Sequence, residues 1–328
     1  MKALLLKSYS ETPDFRLTDV ERPVAGPGCV LVRVAATSVN PIDIKIRTMR
    51  PAFAPALPAI LGMDVAGVVE TVGEGVSAFK PGAEVFGCAG GLGDMPGALA
   101  QFMSADARLL AMKPGNLSME EAAALPLVSI TAWEALFDRA RLRAGQFALI
   151  HAGAGGVGHV AIQLAKAAGA RVATTVSSEE KAALARGLGA DEIVFYRDEQ
   201  PGEYVTRLTD GQGFDVVFDT VGGPNLDASF LAAAPGGTVV STNTRSTHDL
   251  STLHAKALTL SVVFMLLPLI TGRGRGRHGQ IMREVARLAR EGRLRPHLGQ
   301  VLPWSDIARA HDSVSSGRAV GKVVLQVE

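Results

Sequence analysis

The stretch FALIHAGAGGVG, residues 147–158, constrains this 328-residue chain more than any other. An apolar run of strand type leads into glycines at 153, 155 and 158, the spacing G-x-G-x-x-G. A helical pattern follows at once, with Val157, Ala161, Leu164 and Ala168 on one face, and Gly169 ends it. The glycine spacing alone is a weak signal. Between a strand and a helix it describes a turn that can carry a dinucleotide's pyrophosphate. There the glycines allow a tight bend, close approach of the ligand and close helix–sheet packing, and the helix N-terminus offers free N–H groups. Gly153, Gly155, Gly156, Val157 and Gly158 are the residues predicted to form this cradle.

The surrounding pattern supplies the domains. The first ~120 residues hold short β-like runs, such as 30–35, 65–72 and 84–87, punctuated by Pro and Gly. They predict a β-rich, partly closed domain. Ser118, with Glu121 three residues on, opens a helix as a capping box. From Gln146 strands and helices alternate, with further strands expected over 171–176, 192–195, 214–218, 238–242 and 258–264. Six strands with crossover helices predict an α/β doubly wound parallel sheet, a Rossmann sheet. An amphipathic helix is expected over 279–293 and a last strand over 322–327. The dinucleotide domain is thus placed at 124–267, and the β-rich domain at 1–123 with 268–328.

Several function classes are disfavoured. A net charge of +1 gives no broad electrostatic case for nucleic acid or an anionic membrane. The longest apolar run, residues 257–270, falls short of the ~20 residues of a membrane span and contains Pro268. The N-terminal segment lacks the long apolar core of a secretory leader, so a cytoplasmic location is expected. Two cysteines, Cys29 and Cys88, cannot build a disulfide framework, and the seven histidines lack metal-ligand spacing.

The end of the second strand selects the cofactor. A dinucleotide without a 2′-phosphate usually meets an acid there. Here RVATTV ends in Ser177 and Ser178, and Lys181 follows one helical turn later. A hydroxyl and an ammonium suit a phosphate, so NADPH is expected over NADH. Ser177 is also a candidate N-cap for the following helix, and Lys181, beside Glu180, could be an ordinary solvated lysine.

Several further stretches carry a likeness to a known family. They are SVNPIDIKIR (38–47), LGMDVAGVVETVGEGVSAFKPGAEVFG (61–87), LPLVSITAWEAL (125–136), the glycine turn with its helix, FDVVFDTVGG and SGRAVGKVVL. Over nearly its full length the chain resembles the medium-chain dehydrogenase/reductase superfamily, in its zinc-free quinone oxidoreductase branch. The resemblance implies a GroES-like catalytic domain beside the Rossmann sheet. Zinc-dependent members carry Cys where this chain has Asn40 and His where it has Met63, and they add a four-cysteine lobe that is missing here. No metal ligand set is therefore expected. By resemblance the 2′-phosphate is assigned to Ser177, Lys181, Tyr196 and Arg318. The loops 220–223 and 241–243, with Thr220, Ser241 and Asn243, are expected to border the ribose and nicotinamide, and Thr131 to lie near the nicotinamide face.

The chemistry expected is hydride transfer from NADPH to a quinone or an α,β-unsaturated carbonyl. Such acceptors are already electrophilic, so holding donor and acceptor together is the main task. Asn40 either donates a hydrogen bond to the acceptor's carbonyl or caps the turn before Pro41. Lys45 either polarises that carbonyl, if desolvated, or is a surface lysine. Asp43 is read as making a structural hydrogen bond. The basic segment 271–278, TGRGRGRH, is either a mobile lip for an anionic substrate or a solvated loop. A homodimer is expected, because the strand over 258–264 would otherwise leave an apolar sheet edge unpaired. The alternative function is an NADPH-binding structural or regulatory protein with little turnover.

Overall fold

The computed structural model describes all residues, Met1–Glu328. The chain divides into two compact units, Met1–Ile130 with Leu266–Glu328, and Thr131–Met265. The first border lies inside the helix Pro126–Trp133, later than the change of sequence texture suggests. The cause is a tie at the start of that helix, where the Leu127 N–H donates to the Asp64 carboxylate at 2.8 Å and so belongs to the β-rich unit.

In the β-rich unit a seven-stranded sheet is built around the long strand Cys29–Val39. Lys322–Gln326 pairs with it antiparallel, Val323 opposite Val39, and Asp64–Val72 and Phe102–Asp106 pair with it as well. One strand serves three partners because Phe102–Asp106 pairs with its residues 29–33 and Lys322–Gln326 with its residues 36–39, while its pairing with Asp64–Val72 slips twice, between Leu31 and Val32 and between Val34 and Ala36. Such bulges bend a strand and let the sheet curl. A small sheet of Phe15–Asp19, Lys2–Leu6 and Ala59–Ile60 completes the β-structure.

The second unit is a six-stranded parallel sheet. Its spatial order is Glu192–Phe195, Arg171–Val176, Phe147–Ile150, Phe214–Asp219, Ala233–Ser241, Thr259–Val262. Leu149, Ala173, Val217, Phe230 and Val239 are buried in its core. The order reverses between Phe147–Ile150 and Phe214–Asp219, and ligands of such sheets bind outside the strand carboxyl ends at that reversal. The fifth strand starts at Ala233 rather than near 238. The sequence Pro235-Gly236-Gly237 reads as a turn, yet the sheet absorbs it as a register shift between Phe214↔Ala233 and Val216↔Thr238.

The basic segment 271–278 is neither a lip nor a loose loop over its second half. The helix expected from Gly279 starts at Arg275 and runs to Arg290. Arg275 bonds Asp106 at 3.1 Å and the Leu269 carbonyl at 2.9 Å, so the guanidinium ties two segments together. The apolar run 257–270 is divided between the edge strand Thr259–Val262 and the short helix Leu267–Thr271. No helix is long and apolar enough to cross a membrane.

Candidate active site

The glycine turn joins the strand Phe147–Ile150 to the helix Gly158–Ala167. Close packing dictates two of its glycines. A Cβ on Gly153 would lie 2.1 Å from Thr174 Oγ1, and one on Gly158 would lie 2.2 Å from the Ala152 carbonyl oxygen. Gly155, Gly156 and Val157 form the accessible crest. No side chain caps the helix that follows, so apart from the His159 N–H, which donates to the Gly155 carbonyl at 3.1 Å, its N-terminal N–H groups and partial positive charge are left for an anion. The residues present therefore fit a dinucleotide pyrophosphate.

Register brings together two of the four residues assigned to a 2′-phosphate. Val176 and Phe195 are Cα partners at the ends of adjacent strands, so Ser177 and Tyr196 stand side by side just beyond them. Tyr196 is half exposed. The N-cap of the helix Glu179–Gly187 is Ser178, not Ser177, and its hydroxyl accepts the Lys181 N–H at 3.4 Å. Ser177 is thereby released from capping. Lys181 makes no ion pair, since Glu179 is engaged by Arg186 at 3.2 Å. Arg318 belongs to the β-rich unit, exposed in the turn after the helix Ile307–Ser315.

The loops at the other half of the sheet are held by side chains that sequence reading assigned to the ligand. Thr220 donates its hydroxyl to the His151 carbonyl at 2.8 Å. Ser241 is fully buried and donates to the Asp219 carboxylate at 2.8 Å, so it supports a loop and does not face a ligand. Asn243 donates through its side chain to the Val221 carbonyl at 3.1 Å. Thr131 is buried on the helix Pro126–Trp133. His151 was not singled out from sequence beyond its place in the motif. Its ring is buried, contacts Thr175 Oγ1 at 3.3 Å, and leaves Nε2 without a partner. Burial lowers its pKa to about 4 against the pull of Asp219, which keeps the imidazole neutral near pH 7.

The β-rich unit gathers a second polar cluster where its strands begin and end. Asn40 follows the strand Cys29–Val39, Asp64 opens its neighbour and Lys322 opens the other. Asn40 is fully buried. Its Nδ2 donates to Asp64 Oδ2 at 2.8 Å and its Oδ1 accepts from Lys322 Nζ at 2.5 Å. Lys322 also donates to the Val39 carbonyl at 3.1 Å and stands 3.8 Å from Asp64. Ser38 donates to Asp64 at 2.6 Å. Burial lowers the Lys322 pKa, opposed by the charge of Asp64 and Asp43. The Asn40 side chain is thus consumed within the protein. Asn40 is also the N-cap of the helix Pro41–Met49, in a capping box with Asp43, and its backbone carbonyl accepts the Asp43 N–H at 3.0 Å.

Asp43 does make the structural hydrogen bond expected of it, accepting the Asn40 N–H at 2.8 Å through Oδ2. Its Oδ1 is buried without a partner beside a cavity of about 10 Å³ lined by Thr37, Ser38 and His311. Burial first, and the nearby charge of Asp64 after it, raise its pKa to about 7. Lys45 is exposed on the same helix. The desolvation required for it to act as a carbonyl-polarising group is absent.

These features can be set beside known proteins. An alcohol dehydrogenase GroES-like domain model matches residues 26–115, and a zinc-binding dehydrogenase model matches residues 188–325. Quinone oxidoreductase of Rattus norvegicus is 32% identical over 311 residues, covering 94% of this chain and 92% of that protein. The chain belongs to the medium-chain dehydrogenase/reductase superfamily, in its zinc-free quinone oxidoreductase branch. As a member of that superfamily it is an oxidoreductase that uses a nicotinamide cofactor. An alcohol dehydrogenase superfamily protein from Novosphingobium aromaticivorans superposes with a TM-score of 0.95 at 44% identity, with both chains fully covered. A mycobacterial protein solved in complex with NADPH gives a TM-score of 0.87 at 31% identity, covering 99% of this chain and 100% of that one.

Proposed function

We propose that the chain is a zinc-independent, NADPH-dependent oxidoreductase that reduces a quinone or an α,β-unsaturated carbonyl. The observation that carries the cofactor choice is the end of the second parallel strand. Ser177 and Tyr196 lie side by side there, the unpaired Lys181 follows in the next helical turn, and no acid ends the strand. An acid at that point would repel a 2′-phosphate, whereas a hydroxyl and a free ammonium attract one. The mycobacterial neighbour bound to NADPH points the same way.

Zinc independence is supported by the donor set. Asn40 and Met63 offer an amide and a thioether, and the Lys322 ammonium already bonds the Asn40 oxygen and sits beside Asp64. That local charge balance leaves no set of thiolates and imidazoles to bind zinc.

When bound, the cofactor supplies a hydride equivalent, which suits an acceptor that is already electrophilic. The accessible crest Gly155–Val157 and the uncapped helix hold the diphosphate. Thr220 and Asn243 fix the loops beside the nicotinamide half, and Thr131 is assigned to the nicotinamide face. With Asn40 buried and Lys45 solvated, no side chain is set as general acid, and solvent provides the proton.

The lack of a carbonyl-polarising donor also favours a second reading, an NADPH-binding structural or regulatory protein with little turnover. Stopped-flow oxidation of bound NADPH by 1,4-benzoquinone, 9,10-phenanthrenequinone and a set of enones separates the two. Acceleration by at least one acceptor is expected. Tight binding with no acceleration would leave only the second reading.

A further inference from the structure

Asp219 ends the fourth strand of the parallel sheet and is fully buried, yet no ion pair balances it. Neutral donors surround it instead. Its Oδ1 accepts the N–H groups of Val221 and Gly222, both at 2.9 Å, and the Asn225 amide at 2.8 Å. Its Oδ2 accepts the Ser241 hydroxyl at 2.8 Å. The Ser241 oxygen in turn accepts the Asn243 N–H at 3.1 Å, and the Asp219 carbonyl accepts the Thr242 N–H at 3.1 Å. Asn243 closes the circuit by donating to the Val221 carbonyl. One carboxylate therefore binds the loop after the fourth strand to the loop after the fifth.

The location gives the network its meaning. The fourth and fifth strands lie beyond the reversal in strand order, on the half of the sheet opposite the Ser177 end. A dinucleotide spans that reversal with one mononucleotide on each half, and the 2′-position belongs to the adenosine side. The loops tied by Asp219 are thus those that face the nicotinamide mononucleotide. Thr220 links the first of them back to the glycine turn through the His151 carbonyl. Loops that would otherwise have to be ordered by the ligand are ordered in advance, which spares binding that entropic cost.

We infer that Asp219 is the positioning residue of the nicotinamide half-site. It presets the first loop through the Val221 and Gly222 N–H groups and the second through the Ser241 hydroxyl, and it touches neither the cofactor nor the reacting atoms. This inference rests on the assignment of a nicotinamide cofactor to the unit, and not on the choice between NADPH and NADH.

The test compares whole cofactors with adenine-half probes by calorimetry, using the full chain. Asp219→Leu keeps the bulk and removes both carboxylate oxygens, stranding the Val221 and Gly222 N–H groups. It is expected to weaken NADPH and NADH alike by about tenfold or more. ADP and 2′,5′-ADP, which reach only the other half, should stay within about twofold of wild type. Asp219→Asn retains a carbonyl oxygen for Val221 and Gly222 and should stay within about threefold for the whole cofactors. Should Asp219→Leu fail to fold, Ser241→Ala carries the test. It breaks one link of the same circuit and should show the same selective loss at about threefold. Equal losses for whole cofactors and half-probes would make Asp219 a general structural residue and overturn the inference. So would unchanged whole-cofactor affinity in the variant. Wild-type protein that binds neither NADPH nor NADH would remove the cofactor assignment itself, a result visible before any variant is made.

Discussion

Asp43→Asn should remove a pH dependence of stability that the wild-type β-rich unit carries. The Asp43 carboxyl is buried, one oxygen lacks a partner, and its pKa in the folded protein is about 7 against an ordinary 3.8. Below pH ~3.8 the group is protonated in both folded and unfolded chains and costs nothing. Between there and pH 7 the unfolded chain ionises while the folded one holds its proton. Stability then falls by ~1.4 kcal/mol per pH unit. Above pH 7 both forms are charged and the loss is complete, at most roughly 4 kcal/mol. A single water in the neighbouring cavity would solvate the uncovered oxygen and bring the loss down to about 2 kcal/mol. The asparagine keeps an oxygen for the Asn40 N–H and carries no charge, so its stability should not follow this slope. Guanidinium unfolding of wild type and variant at pH 5 and pH 8 gives the difference directly, because carboxylates elsewhere cancel. In a Trp133→Phe background the buried Trp304 reports the β-rich unit alone. The variant should gain on wild type by up to about 2.6 kcal/mol between the two pH values, because roughly two of the ~3.2 units separating the unfolded and folded pKa lie above pH 5. A constant difference at both would refute the assignment of a raised Asp43 pKa and the burial argument behind it.

Three further outcomes follow from the nucleotide unit. Lys181→Ala should weaken NADPH by about tenfold or more and leave NADH nearly unchanged, since only the 2′-phosphate meets its ammonium; equal losses in a fluorescence titration would take Lys181 out of the phosphate site. Gly158→Ala places a methyl 2.2 Å from the Ala152 carbonyl oxygen, which should cost about 1–3 kcal/mol in thermal unfolding and weaken both cofactors, because the turn must open to admit it. The edge strand Thr259–Val262 has a free side, with Val262 45% and Phe264 41% exposed. We expect it to pair with a second copy of the chain, so Val262→Asp should shift sedimentation from dimer to monomer; a wild-type monomer at micromolar concentration would exclude this pairing.

The nucleotide unit was legible because its signals are local. A strand, a glycine turn and a helix lie within twenty-odd residues, and strand ends mark the ligand-facing rim wherever the sheet is parallel. The residues misread there are those whose partners come from another strand. Ser241 looks like a ligand contact until Asp219 is seen to take its hydroxyl. Ser177 and Ser178 are equivalent as caps on paper, and only backbone geometry gives the role to Ser178. In the β-rich unit the decisive contacts join Asn40 to Asp64, 24 residues away, and to Lys322, 282 residues away. Periodicity cannot report such pairings. The available hints were a lone acid in the apolar LGMDVAG and a lysine opening the apolar KVVL, neither of which names its partner.

The three buried carboxylates show how satisfaction, more than burial, divides roles. Asp219 is ringed by donors from its own and the next loop, and a saturated carboxylate of this kind fixes geometry. Asp64 is filled by Ser38, Asn40 and the Leu127 N–H, which ties the start of the helix Pro126–Trp133 to two strands of the β-rich sheet. Removing either would strand several buried donors at once, and each stranded donor costs about 1–3 kcal/mol. Asp43 has one filled oxygen and one bare oxygen, shares the Lys322 ammonium with Asp64, and therefore relieves its environment by taking up a proton. The cluster is close to neutral with that proton and carries an excess negative charge without it. Of the three carboxylates, Asp43 is accordingly the one whose neutral isostere is expected to stabilise the protein above pH 7.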